Sequence, residues 1–283
     1  MQKTNEQEKN EQERIEQDRR LEERMSLIKY KLIVISGKGG VGKSTVAVNL
    51  AYGLAVKGNK VGILDVDIHG PNVAKMLGIE DKRLISSEFE IEPMEVLPNL
   101  KAVSLALLFK DKDQPIIWRG PLKMITIKQF LSDVNWGELD YLIVDSPPGT
   151  GDEPLSVCQL IPDINGAIVV TTPQDVAILD SRKSVLFAKE LKMPVIGIIE
   201  NMSGFMCPHC KKEIDLFGTG GGEKSAHDLK VPFLGRIPIE PEMVKFGDSG
   251  QPFIHFKGQT QTANIMNDIV EKIAKALYEQ KKL

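Results

Sequence analysis

The stretch Gly37-Lys38-Gly39-Gly40-Val41-Gly42-Lys43-Ser44-Thr45 concentrates residue types that can hold an anion. Glycines let successive backbone N–H groups turn toward one phosphate, and a helix beginning just after them adds the positive end of its dipole. The spacing G-x-x-x-x-G-K-[ST] follows an apolar run at 32–35 and precedes a helix-period segment, the context a nucleotide phosphate loop requires. In such a loop Lys43 supplies a mobile positive charge near the β- and γ-phosphates, and Ser44 offers its hydroxyl to Mg²⁺.

Phosphoryl transfer also needs carboxylates for the metal and for the attacking water. One apolar run ends in Asp65-Val66-Asp67 and another in Asp145, followed by Ser146-Pro147-Pro148-Gly149-Thr150-Gly151-Asp152. Both place acids at C-terminal strand edges, where wound α/β sheets bind ligands. Asp67 and Asp145 are the stronger candidates, Asp65 the weaker. His69 is a lone loop histidine and is not assigned a role.

A second chemistry lies at Cys207-Pro208-His209-Cys210. A Cys-x-x-Cys pair serves redox exchange, structural zinc or an iron-sulfur cluster. The continuation is too short and glycine-bounded for the helix a redox dithiol normally opens. Zinc and [4Fe-4S] sites usually want four ligands, whereas this chain has one such pair; two chains about a twofold axis would supply four. Cys158 falls in an apolar-periodic helix and is read as core.

The elements that must position these residues alternate. Strands are predicted at 31–36, 60–66, 101–108, 140–145, 166–172, 194–200 and 233–238, and helices at 43–57, 121–134, 153–161, 175–191 and 261–280. Continuous apolar runs such as Tyr141-Leu142-Ile143-Val144 demand burial on both faces, which implies a doubly wound, mostly parallel α/β sheet in one domain, 27–283. Residues 1–26, rich in Glu, Gln, Lys, Arg and Asn, are expected to form a disordered or loosely helical tail. Ile265, Ile269, Ile273 and Leu277 form one stripe of the last helix, as packing on the sheet requires.

The net charge of −3 gives no general attraction to nucleic acid, and no apolar run is long enough to span a membrane. Three cysteines are too few for a disulfide scaffold. The expectation is a cytoplasmic protein with neither nucleic acid nor membrane as partner.

The loop string resembles the deviant Walker A class of P-loop NTPases that includes MinD, ParA, the nitrogenase iron protein and ArsA. The segments DVDIHGPN (65–72), WRGP (118–121), VDSPPGTGDE (144–153), ENMSGFMCPHC (200–210) and FGTGGGE (217–223) together resemble the Mrp/NBP35/ApbC iron-sulfur cluster carrier ATPases, in the short form without an N-terminal cysteine cluster or extra domain. The resemblance covers residue 30 onward.

It implies a homodimeric ATPase with ATP, Mg²⁺ and a labile [4Fe-4S] cluster, served by apo iron-sulfur proteins and a cluster-assembly scaffold as partners. Lys38 would reach across to the other copy's nucleotide, Asp67 would position water and touch Mg²⁺, and Asp145 would reach Mg²⁺ through water. Asn201 would read adenine, with 238–243 close to the base, and Cys207 and Cys210 on a loop at about 203–223 would hold the cluster. Arg119 fits a phosphate, the partner chain or a structural ion pair. The alternatives are a partitioning ATPase of the MinD/ParA type acting on membrane or DNA, and a P-loop ATPase with structural zinc.

Overall fold

The computed structural model describes residues 2–68, 70–87, 90–108, 120–207, 209–210, 212–256 and 259–280. The first half of the chain runs α1 (Gln2–Ser26), β1 (Ile28–Ile35), α2 (Lys43–Val56), β2 (Val61–Asp65), α3 (Val73–Met76), β3 (Ile85–Ser86), β4 (Ile91–Glu92), β5 (Met94–Leu97), β6 (Leu100–Ser104), α4 (Gly120–Ser132) and β7 (Leu139–Asp145). The second runs α5 (Asp152–Leu160), β8 (Gly166–Thr171), α6 (Asp175–Glu190), β9 (Val195–Met206), β10 (Glu213–Ile214), α7 (Gly221–Leu229), β11 (Phe233–Ile239), α8 (Pro241–Asp248), α9 (Phe253–Phe256) and α10 (Gln261–Gln280).

The central sheet has the order β10-β9-β8-β1-β7-β2-β6-β5, with β11 also paired to β9. From β11 through β9, β8, β1, β7 and β2 to β6 all pairings are parallel, and β5 and β10 are antiparallel additions. Parallel neighbours need crossovers, and the crossover helices cover both faces, so the strands must be apolar on both sides. β1 shows this by alternation. Leu32 and Val34 pack with α2 and α10 in one core, and Ile33 and Ile35 pack with α4, α5 and α6 in the other. The predicted doubly wound α/β sheet is the observed one.

Five of the seven predicted strands match observed strands closely; the one predicted at 194–200 continues to Met206, and the run predicted at 101–108 leaves the sheet after Ser104 and continues as a 3₁₀ turn, Leu105–Leu108. All five predicted helices are present. On the C-terminal helix Ile269, Ile273 and Leu277 are buried, and Ile265 packs partly buried beside them.

The N-terminal segment departs from expectation in part. Of the two expectations, disorder or loose helix, residues 2–26 take the helical one, and the last turns of that helix dock on the domain. Leu21 and Met25 are buried against α4, Arg20 pairs with Asp133 at 3.3 Å, and Arg24 reaches Glu90 and Asn135. Two apolar side chains and three distant polar partners replace the wide apolar stripe that the sequence lacks.

Candidate nucleotide and thiol site

The loop at 37–45 leaves β1 at the middle of the sheet and enters α2 at Lys43. Gly40 and Gly42 adopt φ of 77° and 85°, the left-handed region that glycine enters without strain. A Cβ on Gly39 or Gly40 would meet nothing within 4 Å, so this stretch of backbone faces open space. Gly37 is pressed against the backbone of Asp180 on α6, and a side chain there would collide with it. Buried Ser36 donates its hydroxyl to the Lys38 carbonyl at 2.9 Å, and the Ser36 carbonyl accepts from Gly149 N at 2.8 Å. Val41 is buried, Ser44 and Thr45 half-buried.

Strand register brings the acids to this loop. Asp145 lies opposite Val34 of β1 and opposite Asp65 of β2, so parallel pairing places both carboxylates at the same sheet edge. Lys43 Nζ donates to Asp145 Oδ1 at 2.6 Å and lies 3.3 Å from Asp67 Oδ2. Burial disfavours its ammonium, but Asp145, Asp67 and Asp65 outweigh burial and hold its pKa above the ordinary lysine value. Burial pushes Asp145 up, against the opposing pull of Lys43 and of the Ser44 hydroxyl beside it.

Asp67 Oδ1 and Asp145 Oδ2 are buried oxygens that accept no hydrogen bond. Unpaired buried carboxylate oxygens are costly. Those two oxygens, with the Ser44 hydroxyl alongside, form an oxygen donor set of two carboxylates and one hydroxyl that fits Mg²⁺.

Asp65 has a different place from the metal shell to which it was a weak candidate. It is fully buried and accepts from the Asp67 N–H at 3.1 Å, the Val73 N–H at 3.2 Å and the Ser104 hydroxyl at 2.9 Å. Its carboxylate therefore shapes the loop that carries Asp67. Burial, then the neighbouring Asp145 charge, push its pKa up, to about 8.

Asn201, midway along β9, donates Nδ2 to the Val41 carbonyl at 2.9 Å, and its amide fills the space a side chain on Gly42 would need. Asn201, Thr45, Asn49, Pro238, Glu240 and Phe253 line a largely apolar cleft of about 240 Å³. Of the segment 238–243 expected near the base, Pro238, Ile239, Glu240 and Met243 share one cleft with Asn201 and Thr45 at the end of the phosphate loop, and Pro241 and Glu242 are not part of its lining.

A sequence profile of the ParA family, described as NUBPL iron-transfer P-loop NTPase, matches residues 27–274. The chain belongs to this family. It is 53% identical over 256 residues to an iron-sulfur cluster carrier protein of Methanocaldococcus jannaschii, covering 90% of this chain and 88% of the relative. It is 46% identical to one of Saccharolobus solfataricus, covering 90% and 86%. A solved nucleotide-binding protein of Archaeoglobus fulgidus in complex with ADP, with cobalt found in it, superposes with a TM-score of 0.73 at 39% identity, over 83% of this chain and 92% of that one. MinD of Aquifex aeolicus, at 21% identity and a TM-score of 0.62 over 87% and 97%, shares the fold.

The thiols of this P-loop NTPase sit at the tip of a hairpin. Met206 and Phe205 of β9 pair antiparallel with Glu213 and Ile214 of β10, and Cys207 N donates to the Lys212 carbonyl at 3.0 Å. Cys207 is half-buried and Cys210 exposed. Met206, Ile214, Leu216 and Phe217, on the segments flanking the thiols in the chain, are exposed apolar side chains. Cys158 lies apart on α5, where burial pushes its thiol up to about 12. Among the described residues no group of three or more His, Cys, Asp or Glu could hold a metal ion. His69 and Arg119 lie outside the described residues.

Sequence reasoning missed Glu200. Fully buried at the end of an apolar run, it accepts from the N–H groups of Gly220 and Gly222 and from the Ser203 hydroxyl. Arg236 bridges Glu200 and Glu223. The available signal was an acid closing the run Ile196-Gly197-Ile198-Ile199-Glu200, with the glycine-rich 218–222 downstream to supply free N–H donors.

Proposed function

We propose that the chain is an ATP-hydrolysing homodimeric carrier that holds a [4Fe-4S] cluster as cargo between the Cys207/Cys210 pairs of two copies and passes it to apo-proteins. The observation that carries this reading is one hairpin presenting Cys207 and Cys210 at its tip, with β9 running from there past a phosphate loop ringed by buried acids. The carrier relatives support the cargo, and the ADP-bound relative supports the nucleotide.

In this reading the loop N–H groups of 37–45 hold the phosphates, and Lys43 exchanges its carboxylate partners for β- and γ-phosphate oxygens. Ser44, Asp67 and Asp145 hold Mg²⁺, which supplies neutralising charge when bound. Asp67 orients the attacking water. The Asn201 amide nitrogen is engaged by Val41, which leaves its oxygen to accept from the exocyclic amine of adenine. Lys38, from the partner copy, supplies charge to the transition state.

Pairing through the loop face is supported by its surroundings. Val176 and Leu179 are exposed on α6, the helix whose Asp180 abuts Gly37. Apolar side chains concentrated beside a polar site mark an interaction face.

Anaerobic reconstitution with ferrous iron and sulfide tests the cargo. The expected product is a dimer with about four irons and a charge-transfer absorption band, both lost in Cys207→Ser. A dimer that takes up no iron, or tight binding of one zinc per dimer instead, would refute it.

A further inference from the structure

The hairpin that bears the thiols leaves and rejoins the domain at consecutive residues of β9. Asn201 touches the phosphate loop, through Val41 O and against Gly42. The next residue, Met202, has φ of 55°, a left-handed backbone that a methionine adopts only when its surroundings impose it. Gly204 follows at 79°. Pairing with β11 slips here: Ile237 faces Asn201 while Ile239 faces Phe205, so β9 spends four residues where β11 spends two. This is a bulge, a feature that redirects a strand. Beyond it β9 turns away to pair with β10 and reach Cys207.

The return path closes at the same place. After β10 the chain brings Phe217 to the cleft that Met202 and Asn201 also line. It is then clasped at Gly220 and Gly222 by Glu200, the residue before Asn201, while Glu200 also holds Ser203 at the start of the outgoing arm. One buried carboxylate therefore ties both arms of the thiol hairpin to the residue that neighbours the loop contact.

The geometry points to a relay: occupancy of the phosphate loop acts on Asn201, the Met202–Gly204 bulge converts that into a change of hairpin direction, and Glu200 is the positioning residue that makes both arms move together. It rests on the nucleotide reading proposed above. What it adds is that nucleotide alters the presentation of Cys207 and Cys210 within one chain, before any cluster or acceptor is present.

The test uses the full-length, metal-free, reduced chain. Rates of iodoacetamide labelling at Cys207 and Cys210 are read by mass spectrometry with and without Mg·ADP or Mg·ATP, and nucleotide affinity is read by calorimetry. Nucleotide is expected to change the Cys207 rate by about fivefold or more. In Glu200→Gln, and in the milder Ser203→Ala if the first does not fold, that ratio falls to within about twofold of unity while affinity stays within about threefold. Binding without any rate change in the natural chain overturns the relay alone, and absence of binding overturns the nucleotide reading and the relay with it. A ratio that survives in a folded, nucleotide-binding variant also overturns it. Shielding of the thiols by simple pairing of two copies would survive the substitution and so counts against the relay.

Discussion

Lys38 and Lys43 share one loop and have separate surroundings. Lys43 is buried between Asp145 and Asp67, whereas Lys38 is half-buried and contributes its carbonyl to Ser36. Replacing Lys43 by Ala should lower nucleotide affinity by about 100-fold or more, since it removes the one charge that can offset phosphate among three acids. Lys38→Ala should keep affinity within about threefold and slow hydrolysis by about 10³-fold, the scale of a charge delivered in trans. Calorimetry and phosphate release read the two effects, and equal loss of affinity in both variants would refute the separate roles. The cysteines divide as sharply. With its pKa near 12, Cys158 is about one part in 10⁴ thiolate at pH 8, so two thiols per chain should label in the native protein and the third only after denaturation. Rapid labelling of all three would show that α5 opens readily.

At the scale of elements, the phosphate loop, the acids and the main strands were legible because each is announced locally, by glycine spacing or by an apolar run ending in an acid. The docking of α1 was not. Its anchors are Leu21 and Met25, and its polar partners Asp133, Asn135 and Glu90 are brought near only by the folded sheet. Helix α7 was hidden for another reason. It begins inside a glycine run, and its first N–H groups are satisfied by Glu200, a residue from another element, instead of by a local cap. For α1 the expected outcome is asymmetric. Met25→Ala should cost about 2–4 kcal/mol in denaturant unfolding, as for a long apolar side chain removed from a core, while deleting residues 2–14 should leave stability within about 0.5 kcal/mol. Equal costs would mean that the outer turns of α1 are packed as tightly as the inner ones.

For the whole molecule, the decisive geometry is the meeting of three neighbouring strands, β1, β7 and β2, under one loop. Fold and phosphate site are therefore the same fact: the crossover order that builds the sheet also delivers Lys43, Asp67 and Asp145 to one point. The thiol pair is an addition at the sheet's flank, which explains why its spacing was readable while its link to the nucleotide face was not. Leu179→Glu, on the exposed stripe of α6, should abolish ATP-dependent pairing in light scattering and reduce hydrolysis about as far as Lys38→Ala, with calorimetric affinity in a single chain unchanged. A dimer that persists would place the pairing face elsewhere.

The two flanks of the sheet also decide how copies can meet. An open row of strand N–H and C=O groups invites another chain to add on, indefinitely. Here one flank ends in β5, four residues long and broken by a register shift at Glu95–Leu97. At the other, β10 is two residues long, and Lys272 occupies the Leu234 carbonyl of β11. Neither flank offers a long, straight template, so growth into ribbons by edge-to-edge strand addition is suppressed, and the pairing of copies proposed above has to use a face other than the sheet edges.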